Sequence, residues 1–353
     1  MSLRDRLLRQ IEADGPITIA DYMRACLLDP EYGYYVTDDP LGMSGDFITA
    51  PEVSQMFGEL LGLSLAQAWM DQGGGACVLA ELGPGRGTLM ADMLRAVGTV
   101  PGFEPEVHLV EVSPALRAVQ AELLAGVDVR WHEQVSTLPQ APLFLVANEF
   151  FDALPIRQFV RRGRGWAERR IGVRDGALQF GLTEPAPMDA LAHRLSDTGD
   201  DDLVEICPSA AAIISEIGER IATHGGAALI IDYGDWKSKG DTFQAVRGHA
   251  PCDPLEAPGA ADLTAHVDFH ALSQAAPCAV SKMTTQGDLL AALGIGARAQ
   301  KLAERLDDAG NRVALKSHLD AYKRLTDPDE MGTLFKAIGL YPEAAAPPPG
   351  CAP

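Results

Sequence analysis

Apolar positions Leu3, Leu7, Leu8 and Ile11 recur at helical spacing until Asp14-Gly15-Pro16 breaks the pattern, which predicts an opening amphipathic helix. A second helix is expected over Ile19–Leu28, closed by Asp29-Pro30. An aromatic loop follows, Tyr32-Gly33-Tyr34-Tyr35, and then a long helix over 53–70, apolar at positions 56, 57, 60, 61, 63 and 65. Gly73-Gly74-Gly75 reads as a linker. From residue 77 the chain alternates as a parallel sheet requires: strand 77–81, helix 88–97, strand 107–112, a helix opened by Pro114, and a short strand 127–131. Leu143–Asn148 and 227–232 are continuous apolar runs, as expected of strands covered on both faces, with a helix over 209–223 between them.

Residues 157–205 interrupt this alternation. Their glycine-punctuated segments predict paired hairpins, and they hold the one basic cluster, arginines 157, 161, 162, 164, 169, 170 and 174. Two readings stay open for that cluster, solvated hairpin faces or contact with an acidic partner. Toward the end, 268–275 reads as helix, 279–284 as strand and 288–293 as a helix start; 297–325 and 328–338 read as helical. The expected organisation is an α/β chain with a helical lid or substrate segment at 1–75 and a nucleotide-binding domain at 76–295. C-terminal helices would occupy 296–343, and an alanine- and proline-rich tail at 344–353 is expected to be disordered.

Composition narrows the partners. The chain has 353 residues and a net charge of −20, from 49 acidic and 29 basic residues, which argues against nucleic acid and favours a cationic substrate. No apolar run approaches the ~18 residues of a membrane span, and residues 1–6 carry no signal core, so membrane insertion is not expected and a cytoplasmic location is. The six cysteines show no C-x-x-C pair and no histidine spacing suited to zinc; free thiols and no metal are expected.

The densest chemistry lies at Glu81-Leu82-Gly83-Pro84-Gly85-Arg86-Gly87, where an acid at a strand end is followed by three alternating glycines. Such a turn lets the backbone approach a ligand that a Cβ would push away. The third glycine comes one residue earlier than in the dinucleotide fingerprint G-x-G-x-x-G, which makes a nicotinamide oxidoreductase the weaker reading. A second acid, Glu111, closes the run Val107-His108-Leu109-Val110, where it can accept from ribose hydroxyls. The motif resembles the first motif of class I S-adenosylmethionine (SAM) methyltransferases, which implies a Rossmann-like sheet and SAM as cofactor.

Further runs extend the likeness: Gly45-Asp46-Phe47-Ile48-Thr49-Ala50-Pro51-Glu52, Val110-Glu111-Val112-Ser113-Pro114, Asn148-Glu149-Phe150-Phe151-Asp152-Ala153-Leu154-Pro155, Ile231-Asp232-Tyr233-Gly234 and Asp262-Leu263-Thr264-Ala265-His266-Val267-Asp268-Phe269. Over about residues 5–340 the set resembles the MidA family of SAM-dependent methyltransferases, which includes the mitochondrial complex I assembly factor 7 protein arginine methyltransferases. The resemblance implies symmetric dimethylation of an arginine in the 49-kDa-type subunit of respiratory complex I during assembly. The mitochondrial members work in the matrix. Here no arginine-rich, acid-poor extension precedes residue 5, so a bacterial or processed protein is expected.

On this reading Gly83, Gly85 and Gly87 carry the backbone around the cofactor, Glu81 orients its amino-acid end and Glu111 holds the ribose diol. Gln134 is a candidate for the adenine edge, or a surface glutamine. Asp46 is a further cofactor candidate if its segment folds over the nucleotide, the alternative being a plain loop. Guanidinium is a poor nucleophile, and carboxylates can fix it and localise its charge. Glu149 is the first candidate and Asp152 the second, since they begin at the carboxyl end of a central strand; either could instead cap the turn before Pro155. His249 and His266 are candidate proton acceptors, or packing and capping residues. Two other functions stay open: a methyltransferase with another acceptor, and a SAM-binding scaffold for complex I assembly.

Overall fold

The computed structural model describes residues 2–37 and 49–353. Among these, the central sheet has nine strands, and its main path runs Ala279–Val280, Phe335–Tyr341, Gly226–Asp235, Leu143–Asn148, Val78–Leu82, Glu106–Val110, Val129–His132. From Gly226–Asp235 to Val129–His132 all neighbours are parallel. The chain starts at Val78–Leu82, moves outward through two strands, and returns to Leu143–Asn148 on the other side. That reversal leaves a crevice between the carboxyl ends of Val78–Leu82 and Leu143–Asn148, where open α/β sheets bind ligands. Both strands are buried at every position, which is why each reads as an unbroken apolar run.

One sheet face packs Leu79, Phe144 and Leu229 against Phe57, Leu61, Leu65, Leu89 and Met93. The other packs Leu145 and Ile230 against Ile214, Ile217 and Phe269. Helix Gln55–Asp71 therefore shares the core of the sheet, and the boundary expected at residue 75 is corrected: the linker glycines are a turn inside one packed unit. The first two helices belong elsewhere. Leu7, Ile11, Tyr22 and Met23 pack with Ile171 of the inserted sheet and with Phe243 and Leu263 beyond it, so the opening segment rests on the insertion and on the small sheet that holds Asp262–Thr264.

That insertion is antiparallel, with Arg157–Arg162 between Gly165–Arg174 and Leu203–Ile206, and Ile17–Thr18 adding to Gly165–Arg174. Its arginines are largely spent on internal ion pairs. Arg157 and Arg170 share Glu168 at 2.7 and 2.8 Å, Arg169 meets Asp241 at 2.5 Å, and Arg162 pairs with Asp201. No disulfide joins any of the six cysteines.

Two expectations at the C-terminus are corrected. Within 328–338 only Met331–Leu334 is helical; Phe335–Tyr341 is a strand, antiparallel to Gly226–Asp235, and so the segment 296–343 completes the sheet besides supplying helices. An interior strand is apolar on both faces and loses the two-residue period that would reveal it. The tail 344–353 is packed. Ser64 donates to the Pro349 carbonyl at 2.7 Å and the Lys282 N–H to that of Ala352 at 2.9 Å. Pro348 and Cys351 lie where a Cβ on Gly339 would sit, so the glycine admits the tail.

Candidate active site

The glycine turn opens directly from strand Val78–Leu82. Gly83, Gly85 and Gly87 have φ of 60°, 53° and 89°, a region costly for residues with a Cβ. A Cβ on Gly83 would stand 2.8 Å from Phe150 Cδ2, so this glycine lets the first strand's turn meet the loop after Leu143–Asn148. Gly83 and Gly85 line a cavity of about 490 Å³, together with Glu81, Glu111, Gln134, Asn148 and Glu149. Gly87 lies outside the lining; it starts helix Thr88–Val97 in the left-handed conformation. Glu81 is buried and its Oε2 has no hydrogen-bond partner among the described residues. Burial, with a smaller push from the charge of Glu111, raises its carboxyl to about 8.

Glu111 is held from its own turn. Its Oε1 accepts the Ser113 N–H at 2.8 Å and its Oε2 the Gln120 amide at 3.4 Å, while burial raises its pKa. Gln120 was missed by sequence reasoning. Fully buried on helix Pro114–Leu123, it donates to the Gly85 carbonyl at 2.7 Å and accepts from Trp131 Nε1 at 2.8 Å. It thereby ties the glycine turn to the Glu111 carboxylate. A polar residue one turn after Leu116 on the apolar stripe was the available signal. Gln134 is exposed and lines the cavity rim.

The loop after strand Leu143–Asn148 is held by Asp232. This fully buried carboxylate accepts at Oδ2 from the N–H groups of Phe150, Phe151 and Asp152 at 3.2, 2.9 and 3.3 Å, and at Oδ1 from Tyr233 at 2.9 Å. The grip holds Glu149 at φ 52°, a left-handed backbone uncommon without glycine and frequent at functional sites. Glu149 is half-buried and lines the cavity. Its Oε1 accepts the Ala50 N–H at 3.1 Å and Asn148 Nδ2 at 3.0 Å. Burial raises its carboxyl to about 7 despite those two hydrogen bonds and the charge of Arg324.

Asp152 is buried behind the cavity wall rather than in it. Burial raises both Asp152 and Asp232, and the charges of Asp232, Asp262 and Glu149 add to the rise at Asp152. Tyr35 lines the cavity and donates to Asp262 Oδ1 at 2.8 Å, which joins the N-terminal segment to this acidic group. Asp46 lies outside the described residues. His249 is not brought to the site: it sits exposed at φ 61° in the turn between strands Gln244–Arg247 and Ala250–Cys252, away from the cavity lining. The catalytic role expected for it is corrected, since a hairpin turn gave the histidine its place. His266 packs its ring edge-on to Tyr233 at 5.3 Å and also lies outside the lining.

An orphaned carboxylate oxygen, glycines that admit a ligand against the backbone, and carboxylates raised by burial suit a ligand carrying positive charge. SAM, with an ammonium and a sulfonium, fits these residues: Glu81 would hold the amino group, Glu111 the ribose hydroxyls and Gln134 the adenine edge. The fold and this crevice define a class I SAM-dependent methyltransferase.

The chain belongs to the family described as "Putative S-adenosyl-L-methionine-dependent methyltransferase", whose model matches residues 60–287. It is 40% identical to the mitochondrial protein arginine methyltransferase NDUFAF7 of Danio rerio, over 96% of this chain and 86% of that one. To the Homo sapiens protein of the same name it is 39% identical, over 95% of this chain and 82% of that one. A crystal structure from Burkholderia thailandensis, described as a "likely methyl transferase" bound to S-adenosylhomocysteine, superposes with a TM-score of 0.83 at 30% identity, covering 96% of this chain and 91% of that one.

Proposed function

We propose that the chain is a protein arginine N-methyltransferase acting on the 49-kDa-type subunit of respiratory complex I during assembly, in the compartment where that complex is built. The observation that carries the arginine acceptor is Glu149, a half-buried carboxylate on the cavity wall beside the glycine turn, backed by buried Asp152 and Asp232. None of these three carboxylates forms an ion pair among the described residues. A guanidinium entering the cavity would supply the missing positive charge. The names of the two relatives support the same acceptor chemistry.

SAM supplies a methyl already activated on a sulfonium. The residues must position the acceptor, exclude water and take a proton. Glu149 would accept an N–H of the guanidinium, fix its plane and hold the reacting nitrogen toward the methyl. Its pKa of about 7 also suits it to receive the proton released on transfer. Asp232 holds the loop in place, and Ala50 fixes the carboxylate from the N-terminal side.

The test is incubation with methyl-labelled SAM and the 49-kDa-type subunit from the same organism, followed by peptide mass spectrometry. Label on an arginine of that subunit is the expected result. Absence of label, with SAM binding confirmed in the same sample, would overturn the proposed acceptor.

A further inference from the structure

Asn148 ends the buried strand that feeds the Glu149 loop, and its Oδ1 is buried without a hydrogen-bond partner among the described residues. The residue is 8% exposed and lines the same cavity as Glu81, Gly83 and Glu149. Its other terminal atom is committed, because Nδ2 donates to Glu149 Oε1 at 3.0 Å. That oxygen also takes the Ala50 N–H at 3.1 Å, while Oε2 accepts no hydrogen bond among the described residues. Turning the amide over would set Oδ1 against an ionised Glu149 oxygen, and this fixes which end of Asn148 carries the unpaired acceptor. A buried acceptor without a donor is disfavoured unless a ligand supplies one.

We propose that Asn148 Oδ1 accepts an N–H of the guanidino nitrogen that takes the methyl, and that this contact directs a second methyl to the other terminal nitrogen. The proposal rests on the arginine reading above. A terminal guanidino nitrogen carries two N–H bonds in the guanidinium plane, and Asn148 Oδ1 and Glu149 Oε2 are two neighbouring acceptors for them. With both engaged, the face of the nitrogen is left for the methyl. The nitrogen gives its lone pair to the methyl carbon, the carbon–sulfur pair stays on sulfur as a neutral thioether, and one N–H proton leaves to the Glu149 carboxylate. The product nitrogen holds one methyl and one hydrogen. Presented again, it would leave one of the two acceptors unpaired, whereas the opposite terminal nitrogen still brings two N–H bonds.

The experiment compares wild type, Asn148→Ala, Asn148→Asp and Glu149→Gln on the 49-kDa-type subunit, reading transfer rate, S-adenosylhomocysteine affinity and the isomer of dimethylarginine. Asn148→Ala should slow transfer about 10- to 100-fold, bind S-adenosylhomocysteine within about threefold of wild type, and yield asymmetric dimethylarginine. Asn148→Asp keeps an acceptor oxygen toward the substrate but sets a carboxylate against Glu149 Oε1; it should transfer more slowly yet keep the wild-type isomer, and S-adenosylhomocysteine binding controls for damage to the fold. Asn148→Ala with wild-type rate and isomer, beside an inactive Glu149→Gln, would overturn the role of Asn148 and leave the arginine reading standing. Asymmetric dimethylarginine from wild type would also overturn it. Wild type that leaves arginine unlabelled would remove both.

Discussion

Asp232 Oδ2 accepts the backbone N–H of Phe151 at 2.9 Å, and the same oxygen takes those of Phe150 and Asp152. One strand end thus fixes the loop that starts at the next, across the sheet from the glycine turn. Asp232→Ala would leave three N–H groups without that acceptor, at a cost of about 1–3 kcal/mol, in part offset by relief of repulsion on Asp152. Asp232→Asn keeps an oxygen toward the loop. Chemical denaturation should rank wild type and Asp232→Asn above Asp232→Ala, and methyl transfer should fall most in Asp232→Ala.

Gly83→Ala places a Cβ at φ 60° and 2.8 Å from Phe150 Cδ2. The strain should cost about 1–3 kcal/mol and shift the Phe150 ring toward the cavity. A lowered melting temperature and S-adenosylhomocysteine affinity reduced by about tenfold or more are expected. Unchanged affinity would mean that this turn does not shape the cofactor site.

Glu81 gives a pH signature. Its folded pKa of about 8 exceeds the ordinary value of 4.5, so its contribution to stability is fully present below about 4.5 and is lost as pH rises through about 8. Glu81→Gln should melt close to wild type at acid pH and above it once Glu81 must ionise. An ammonium ligand needs the ionised form. Binding at pH 7 should therefore release a proton, seen as buffer-dependent heat in titration calorimetry, and Glu81→Gln should abolish that dependence.

Gln120→Leu keeps the helix but removes the donor to the Gly85 carbonyl and the acceptor for Trp131 Nε1. S-adenosylhomocysteine affinity should fall about tenfold with little change in helix content by circular dichroism. A variant that binds as wild type would separate Gln120 from the cofactor site.

What the sequence disclosed follows from what each residue had to do. The strands Val78–Leu82 and Leu143–Asn148 were legible because burial on both faces leaves an apolar run, and the turns after them because acids and glycines interrupt it. Phe335–Tyr341 is an interior strand too, but Lys336 interrupts its apolar run and it follows directly on the helical turn Met331–Leu334, so its local pattern reads as helix. Gln120 and the grip of Asp232 on the Phe150–Asp152 backbone were hidden for a different reason. Each acts across 35 or more positions, on Gly85 and on Phe151, and local pattern carries no such partner. His249 sits in an exposed hairpin turn, and the three-residue run Arg247-Gly248-His249 carries no local signal that separates such a turn from a site.

The measurement that bears most directly on the central claim is the pH dependence of single-turnover methyl transfer to the 49-kDa-type subunit, in wild type and in Glu149→Gln. Ionisation of Glu149 near its raised value should make the wild-type rate climb through about pH 7 and then level. Glu149→Gln should bind S-adenosylhomocysteine as wild type does, transfer about 10²- to 10³-fold more slowly, and lose that rise. Transfer at the wild-type rate by Glu149→Gln, with the rise intact, would contradict the assignment of this carboxylate to the arginine.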